Sequence, residues 1–172
     1  MKILSSIDDK VEVIDNFISK KECQMWIEKA NKSYTEKQLL DIQQGIDDHW
    51  QTRTVDITSD KIVQKINQTF KGTIFQAQLQ TWPIGSVSKP HIHDDKIGDE
   101  TAPSRLNTKM NSVIYLNDNF DGGLFHTYWG VVIKPKQGTL IHFDGSKIYH
   151  GVSEVKNNNR YTLIFWWKDE TN

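Results

Sequence analysis

The sequence predicts an α+β, mainly β protein in which N-terminal helices pack against an antiparallel barrel or sandwich. Apolar residues recur at helical spacing in the first 70 residues. After Gly72 the pattern turns to short alternating or β-branched runs, divided by Gly, Asn, Asp or Pro. No repeat, low-complexity tract or linker interrupts the 172 residues, so we expect one domain spanning 1–172, helical over about 1–72 and β over about 73–168.

The helical expectation rests on two stretches. "SKKECQMWIEKA" opens with Ser19 and Glu22 at capping-box spacing. Cys23, Trp26, Ile27 and Ala30 then fall at i, i+3, i+4 and i+7, which is one helix face. "SDKIVQKINQTF" offers Ser59 or Asp60 as a cap, with Ile62, Val63, Ile66 and Phe70 on one face. The intervening "SYTEKQLLDIQQGIDD" is only weakly periodic and fits a helix or a loop. In the β part, "TIFQAQLQTW" alternates, and "NSVIYLN", "GVVIKP", "GTLIHF" and "RYTLIFWW" supply further strands. Residues 94–109 form the longest stretch without a pattern, and a loop of that length is usually functional or mobile.

Composition excludes several classes. A formal net charge of −1, with no Lys/Arg-rich run, argues against nucleic acid or an anionic membrane as partner. No apolar run approaches the roughly 20 residues needed to span a bilayer. The opening "MKILSSIDDK" is too short and too acidic for a secretory h-region. The single cysteine, Cys23, excludes an internal disulfide and fits a reducing compartment. A cytoplasmic protein is therefore expected. Nothing in the sequence speaks to its oligomeric state.

Chemistry concentrates in "KPHIHDDKIGDE". If a strand runs through "PHIHDD", His91, His93 and Asp95 point the same way, because alternate residues share a face. His93-x-Asp95 then offers an imidazole beside a carboxylate, and His150 in "SKIYHGVSEV" is the natural third ligand. Two histidines and one carboxylate on one face of an octahedron are the ligand set of non-haem Fe(II) oxygenases, with positions left open. Ten residues after His150, Arg160 and Thr162 share one face of the strand in "RYTLIFWW", and an arginine fork with a hydroxyl is a good carboxylate receptor.

With these residues in view, the sequence resembles the 2-oxoglutarate- and Fe(II)-dependent oxygenases, in particular the prolyl 4-hydroxylase-like branch. "VIDNFISKKECQMWI" is similar to the family's opening strand and helix. "TWPIGSVSKPHIHDD" resembles its lead into the His-x-Asp strand, and "SVIYLNDNFDGG" its Tyr-Leu-Asn-Asp segment. "VIKPKQGTLIHF" and "YHGVSEVKNNNRYTLIFWW" resemble its closing strands, and all five occur in the family's order. The resemblance implies a double-stranded β-helix, a jelly-roll of cupin-like form with flanking N-terminal helices. It implies that His93, Asp95 and His150 bind Fe(II). Arg160 and Thr162 would hold the 5-carboxylate of 2-oxoglutarate, and Tyr115 would hydrogen-bond the same group.

The implied activity is a dioxygenase that uses Fe(II), 2-oxoglutarate and O₂, with ascorbate in support. It would hydroxylate a C–H bond with release of succinate and CO₂, on a peptide or small-molecule substrate, with peptidyl-proline first among them. Other substrates (a nucleic-acid base, a free amino acid) and a non-catalytic jelly-roll binding module are the alternatives. Residues 94–109 would be a candidate substrate lid.

Three departures from the family pattern matter. Leu124 stands where a glutamate commonly follows the Gly-Gly pair, and Arg160 where some relatives use lysine. The third is register. Counted from Gly85, many relatives place the first iron histidine six residues on, at His91, which puts His93 in the carboxylate's place. The His93-x-Asp95 assignment is preferred here because it keeps an anionic ligand against the metal charge. His91 is then expected beside the ligands or at the surface.

Overall fold

The computed structural model describes residues 1–6, 9–33, 52–93 and 108–168. A seven-stranded antiparallel sheet dominates. Its order is β1 (Lys2–Ser6), β2 (Asp9–Ile14), β10 (Leu140–Asp144), β6 (Thr108–Tyr115), β13 (Arg160–Lys168), β4 (Ile74–Trp82) and β3 (Arg53–Asp56). A four-stranded sheet faces it, in the order β5 (Ser88–His91), β11 (His150–Val152), β8 (Phe125–Thr127) and β9 (Val132–Ile133). A small ribbon pairs β7 (Asp121–Gly122) with β12 (Val155–Lys156). Two sheets face to face over a common interior are the double-stranded β-helix the sequence led us to expect.

The N-terminal part departs from the helical expectation. Three strands, β1, β2 and β3, fall before residue 72. Val11 and Val13 alternate with polar residues, and β2 finds an edge to extend by pairing with β10, Val11 opposite Phe143 and Ile14 opposite Leu140. β3 adds the opposite edge by pairing with β4. Tertiary pairing, rather than local propensity, makes these segments strands. Thr108 and Lys109, expected in the patternless stretch, belong to β6. Residues 94–107, with Asp95 and most of the proposed lid, and residues 34–51 lie outside the described residues.

Two helices among the described residues cover the outer face of the large sheet. α1 (Lys20–Lys32) starts with the full capping box: the Ser19 hydroxyl accepts the Glu22 N–H at 3.2 Å, and the Glu22 carboxylate accepts the Ser19 N–H at 2.7 Å. α2 (Lys61–Thr69) starts after Asp60, whose carboxylate instead meets Lys29 Nζ of α1 at 2.9 Å and ties the two helices together. Cys23, Trp26 and Ala30 of α1 and Ile62, Val63 and Ile66 of α2 pack on Ala77, Leu79, Leu163, Phe165 and Trp167 of the sheet. Each fully buried Leu, Ile or Phe side chain contributes about 1.5–3 kcal/mol. This layer fixes β4 and β13, whose opposite faces line the interior.

Between the sheets lies a second apolar cluster, with Val113, Tyr115, Ile141 and Phe143 of the large sheet against Phe125 and Ile133 of the small one. Strand alternation divides the two layers. On β13, Leu163, Phe165 and Trp167 join the helix-side core, while Arg160, Thr162, Ile164 and Trp166 line the cavity between the sheets.

Candidate metal centre and carboxylate pocket

β5 pairs with β11 so that His91 stands directly opposite His150. The strand ends there, and His93 follows two residues on, held by its N–H to the Gly145 carbonyl at 2.8 Å. The three rings converge, with centroids 4.7 Å (His91–His150), 5.0 Å (His93–His150) and 5.2 Å (His91–His93) apart. One nitrogen from each lies within 4.8 Å of the others. His93 and His150 are buried and His91 is half-buried. Phe143 and Phe125 pack against the His150 ring and hold its orientation.

Hydrogen bonds fix which nitrogen of each ring faces inward. His150 Nδ1 is 2.7 Å from the Ile148 carbonyl, and His91 Nδ1 is 2.9 Å from the Lys89 carbonyl. A carbonyl oxygen only accepts, so both Nδ1 atoms carry protons and both Nε2 atoms present lone pairs. His93 Nδ1 donates in the same way to Asn111 Oδ1 at 2.7 Å. The Nε2 atoms of His91 and His93 then face each other at 3.2 Å. Lone pairs at that distance repel unless a cation or a proton lies between them. Three imidazoles with Nδ1 engaged and Nε2 converging are suited to a divalent first-row metal, iron included.

The structure therefore brings His93 and His150 together as the sequence led us to expect, and brings His91 in with them. His91 was expected beside the ligands or at the surface; its half-buried ring sits inside the cluster. Gly145 makes room for this arrangement. A Cβ there would collide with Asn111 Oδ1 and come within 2.9 Å of His93 Nδ1.

Arg160, Tyr115 and Thr162 gather on the cavity face of the large sheet, with Thr162 opposite Tyr115 in register. All three are at most 2% exposed. The guanidinium carbon lies 4.7 Å from the Trp82 ring centre and 5.4 Å from that of Tyr115, so two aromatic faces support the cation. Among the described residues, Arg160 Nε and Nη1 and the Tyr115 hydroxyl are buried with no well-aligned hydrogen bond, the hydroxyl lying close to the guanidinium. Burial pushes the Tyr115 phenol up to about 12, against the pull of the guanidinium beside it, so it stays a neutral donor. Burial also lowers Arg160, but from a value so high that the cation persists at neutral pH. Unmatched buried donors around a cation are costly unless a ligand satisfies them. A carboxylate does so with both oxygens.

Both groups open on one cavity of about 220 Å³, lined by the three histidines at one wall and by Arg160, Tyr115 and Thr162 at another. Trp82 and Trp166 are buried and also line this cavity. Asn111 was not singled out from the sequence. Its alternation with Val113 and Tyr115 on β6 marks the cavity face, but no spacing links it to His93, 18 residues away. His142 is packed away from the cavity, stacked on Phe70 at 3.9 Å and bonded to Ser112 at 2.8 Å.

A double-stranded β-helix that gathers three histidines able to hold a metal beside a buried arginine able to pair with a carboxylate fits a class, the cofactor-dependent oxygenases. Residues 78–168, more than half of the chain, match the model of the 2OG-Fe(II) oxygenase superfamily, and the chain belongs to that family. It is thus a 2-oxoglutarate-dependent non-haem iron dioxygenase that uses Fe(II), 2-oxoglutarate and O₂ to hydroxylate its substrate. No curated protein matches the chain.

Among solved structures it is similar to the viral collagen prolyl hydroxylase of Paramecium bursaria Chlorella virus-1, in complex with 2-oxoglutarate. That likeness has 21% identity, a TM-score of 0.64, and coverage of 92% of this chain and 94% of that one. It is similar also to a Pseudomonas putida prolyl-4-hydroxylase at 16% identity and TM-score 0.66, covering 93% and 92%. A third is a prolyl hydroxylase from Trichoplax adhaerens, in complex with a hypoxia inducible factor peptide fragment, at 17% and 0.60, covering 93% and 84%. At these identities the likeness is one of fold. No helix among the described residues is long and apolar enough to cross a membrane.

Proposed function

We propose that His91, His93 and His150 hold Fe(II) through their Nε2 atoms. Arg160, with Tyr115 and Thr162, holds the distal carboxylate of 2-oxoglutarate, and the substrate is a peptide hydroxylated at proline, within a single domain spanning 1–172. The observation that carries the metal assignment is the set of three Nδ1 hydrogen bonds, which turn three lone pairs toward one point. Bound Fe(II) with 2-oxoglutarate supplies the oxidation: one O₂ is divided between succinate and the new hydroxyl, with loss of CO₂. The protein's own residues orient and exclude. Arg160 and Tyr115 fix one end of the co-substrate, and the imidazoles fix the metal face. The aromatic walls of Trp82, Phe125, Phe143 and Trp166 keep bulk water from the reacting centre.

Support for a peptide substrate comes from the fold shared with proteins described as prolyl hydroxylases, one of which holds a peptide. The same chemistry on a nucleic acid, free amino acid or other small molecule is the alternative, since fold does not fix substrate. Asp95 as the anionic ligand is the alternative metal set. A free, buried Cys23 supports a reducing compartment such as the cytoplasm.

The test is succinate release from 2-oxoglutarate under Fe(II) and ascorbate, first alone and then with a proline-containing peptide library read for hydroxyl mass gain. Thermal stabilisation by Mn(II) plus N-oxalylglycine is measured in parallel. Metal- and 2-oxoglutarate-dependent succinate that rises with one peptide class supports the proposal. No turnover and no stabilisation would leave the non-catalytic binding module.

A further inference from the structure

We infer that the cavity contains a two-donor subsite, made by the side-chain amide nitrogen of Gln78 and the indole N–H of Trp166, that holds a neutral carbonyl oxygen of the prime substrate. This rests on the reading of the cavity as the dioxygenase site.

The polarity of the cavity wall on β4 is dictated from one end. Gln76, Gln78, Gln80 and Trp82 alternate onto the cavity face. The Trp82 indole Nε1 lies 3.2 Å from Gln80 Oε1. An indole N–H only donates, so the Gln80 oxygen is fixed toward Trp82 and its amide nitrogen away from it. That nitrogen donates to Gln78 Oε1 at 3.3 Å. The Gln78 oxygen is thereby engaged, and its amide nitrogen is the free end of a chain that runs from Trp82 through Gln80. The chain starts beside the Arg160 guanidinium, which stacks on Trp82 at 4.7 Å. It ends four residues along the strand, roughly 13 Å away at about 3.3 Å per residue.

The neighbouring strand supplies a second donor at the same end. Trp166 of β13 lies opposite Gln76, and Ile164 opposite Gln78. Gln78 and Trp166 are therefore diagonal neighbours on one face, a spacing that long and aromatic side chains bridge. Trp166 Nε1 is buried and has no hydrogen-bond partner among the described residues. A buried indole N–H left unmatched is costly and can be satisfied only by an acceptor. Two N–H donors match the two lone pairs of one carbonyl oxygen. Both are neutral, and the cation among the described lining residues, Arg160, sits at the far end of the strands. A carboxylate desolvated here would lack a counter-charge, so the acceptor that fits is an amide or ketone oxygen.

The protein loaded with Zn(II) and N-oxalylglycine is followed by ¹H–¹⁵N NMR while N-acetylpyrrolidine, and separately acetate, is titrated in. Gln78→Leu and Trp166→Phe assign the two signals and serve as test variants, the latter keeping an aromatic ring in the wall. The expected result is that N-acetylpyrrolidine moves the Gln78 side-chain amide and the Trp166 indole with a common Kd, and acetate moves neither. Loss of either donor should weaken that Kd about tenfold, a typical value for one hydrogen bond. No shift with N-acetylpyrrolidine, a tighter response to acetate, or an unchanged Kd in both variants would overturn the subsite. Zn(II) and N-oxalylglycine loading is read separately from the histidine and Arg160 signals. Failure there counts against the dioxygenase site and leaves the amide result to stand by itself.

Discussion

Asn111 and His93 are joined across 18 residues by a buried 2.7 Å hydrogen bond, made possible by the missing side chain of Gly145. Asn111 is fully buried, and it supplies the acceptor that holds His93 with its Nε2 turned toward His91 and His150. Partners of this kind typically account for ~10–100-fold in metal affinity. Asn111→Ala should therefore weaken Mn(II) binding by about that factor, measured by calorimetry, while Asn111→Asp, which keeps the acceptor, should retain most of it. Equal affinity in wild type and Asn111→Ala would show that the bond does not orient the ligand.

Arg160 separates co-substrate binding from metal binding. Arg160→Met should reduce N-oxalylglycine affinity by at least ~100-fold, the loss of a charge-assisted bidentate contact, with Mn(II) affinity little changed. Because its Nε and Nη1 are buried without hydrogen-bond partners among the described residues, replacing the cation by an apolar side chain should leave the melting temperature of the ligand-free protein equal or higher. A large fall in that temperature would mean that Arg160 is structural.

Tyr115 contributes less. Its hydroxyl is a neutral donor beside the guanidinium, so Tyr115→Phe should weaken N-oxalylglycine about tenfold or less. Fluorescence or calorimetric titration reads this, and an unchanged Kd removes Tyr115 from the carboxylate receptor.

On the opposite face of the sheet, the Trp167 indole donates to the Ser112 hydroxyl at 3.0 Å, and that hydroxyl meets His142 Nδ1 at 2.8 Å. The indole can only donate, which leaves the Ser112 hydroxyl its own proton and one lone pair, so it can pair with either tautomer of the neutral His142 ring. Burial lowers the His142 pKa from 6.5 to about 4, against the opposing pull of Glu12 across the strand pair. The unfolded chain binds this proton more readily than the folded one. Stability from this group is therefore complete above about pH 6.5 and is lost as pH falls toward 4, by roughly 3 kcal/mol in all. Denaturant melts from pH 7 to pH 4 should show this slope, and His142→Leu should flatten it. An unchanged slope would place the acid sensitivity elsewhere.

Much of this architecture was legible because it is periodic. The capping box at Ser19, the helix faces at Cys23, Trp26 and Ala30, and the alternation of Arg160 and Thr162 all follow from local spacing. The convergence of His93, His150 and Arg160 was legible through the family resemblance. What escaped depends on pairing between distant segments. β2 is a strand because β10 offers it an edge. His91 was legible as the register counted from Gly85, but its choice over Asp95 depends on where β5 stops and on its partner in β11, and neither is marked in "PHIHDD". Asn111 meets His93 only because Gly145 lets β6 and the end of β5 approach.

The central claim is that three imidazoles, His91 included, hold the metal. Mn(II) titration of the wild type, His91→Ala and Asp95→Ala, by calorimetry with N-oxalylglycine present, tests it most directly. The account predicts that His91→Ala loses at least ~100-fold in affinity, about 2.7 kcal/mol, and that Asp95→Ala stays within a few fold of wild type. Loss in Asp95→Ala with His91→Ala intact would contradict it and assign the third ligand to the carboxylate.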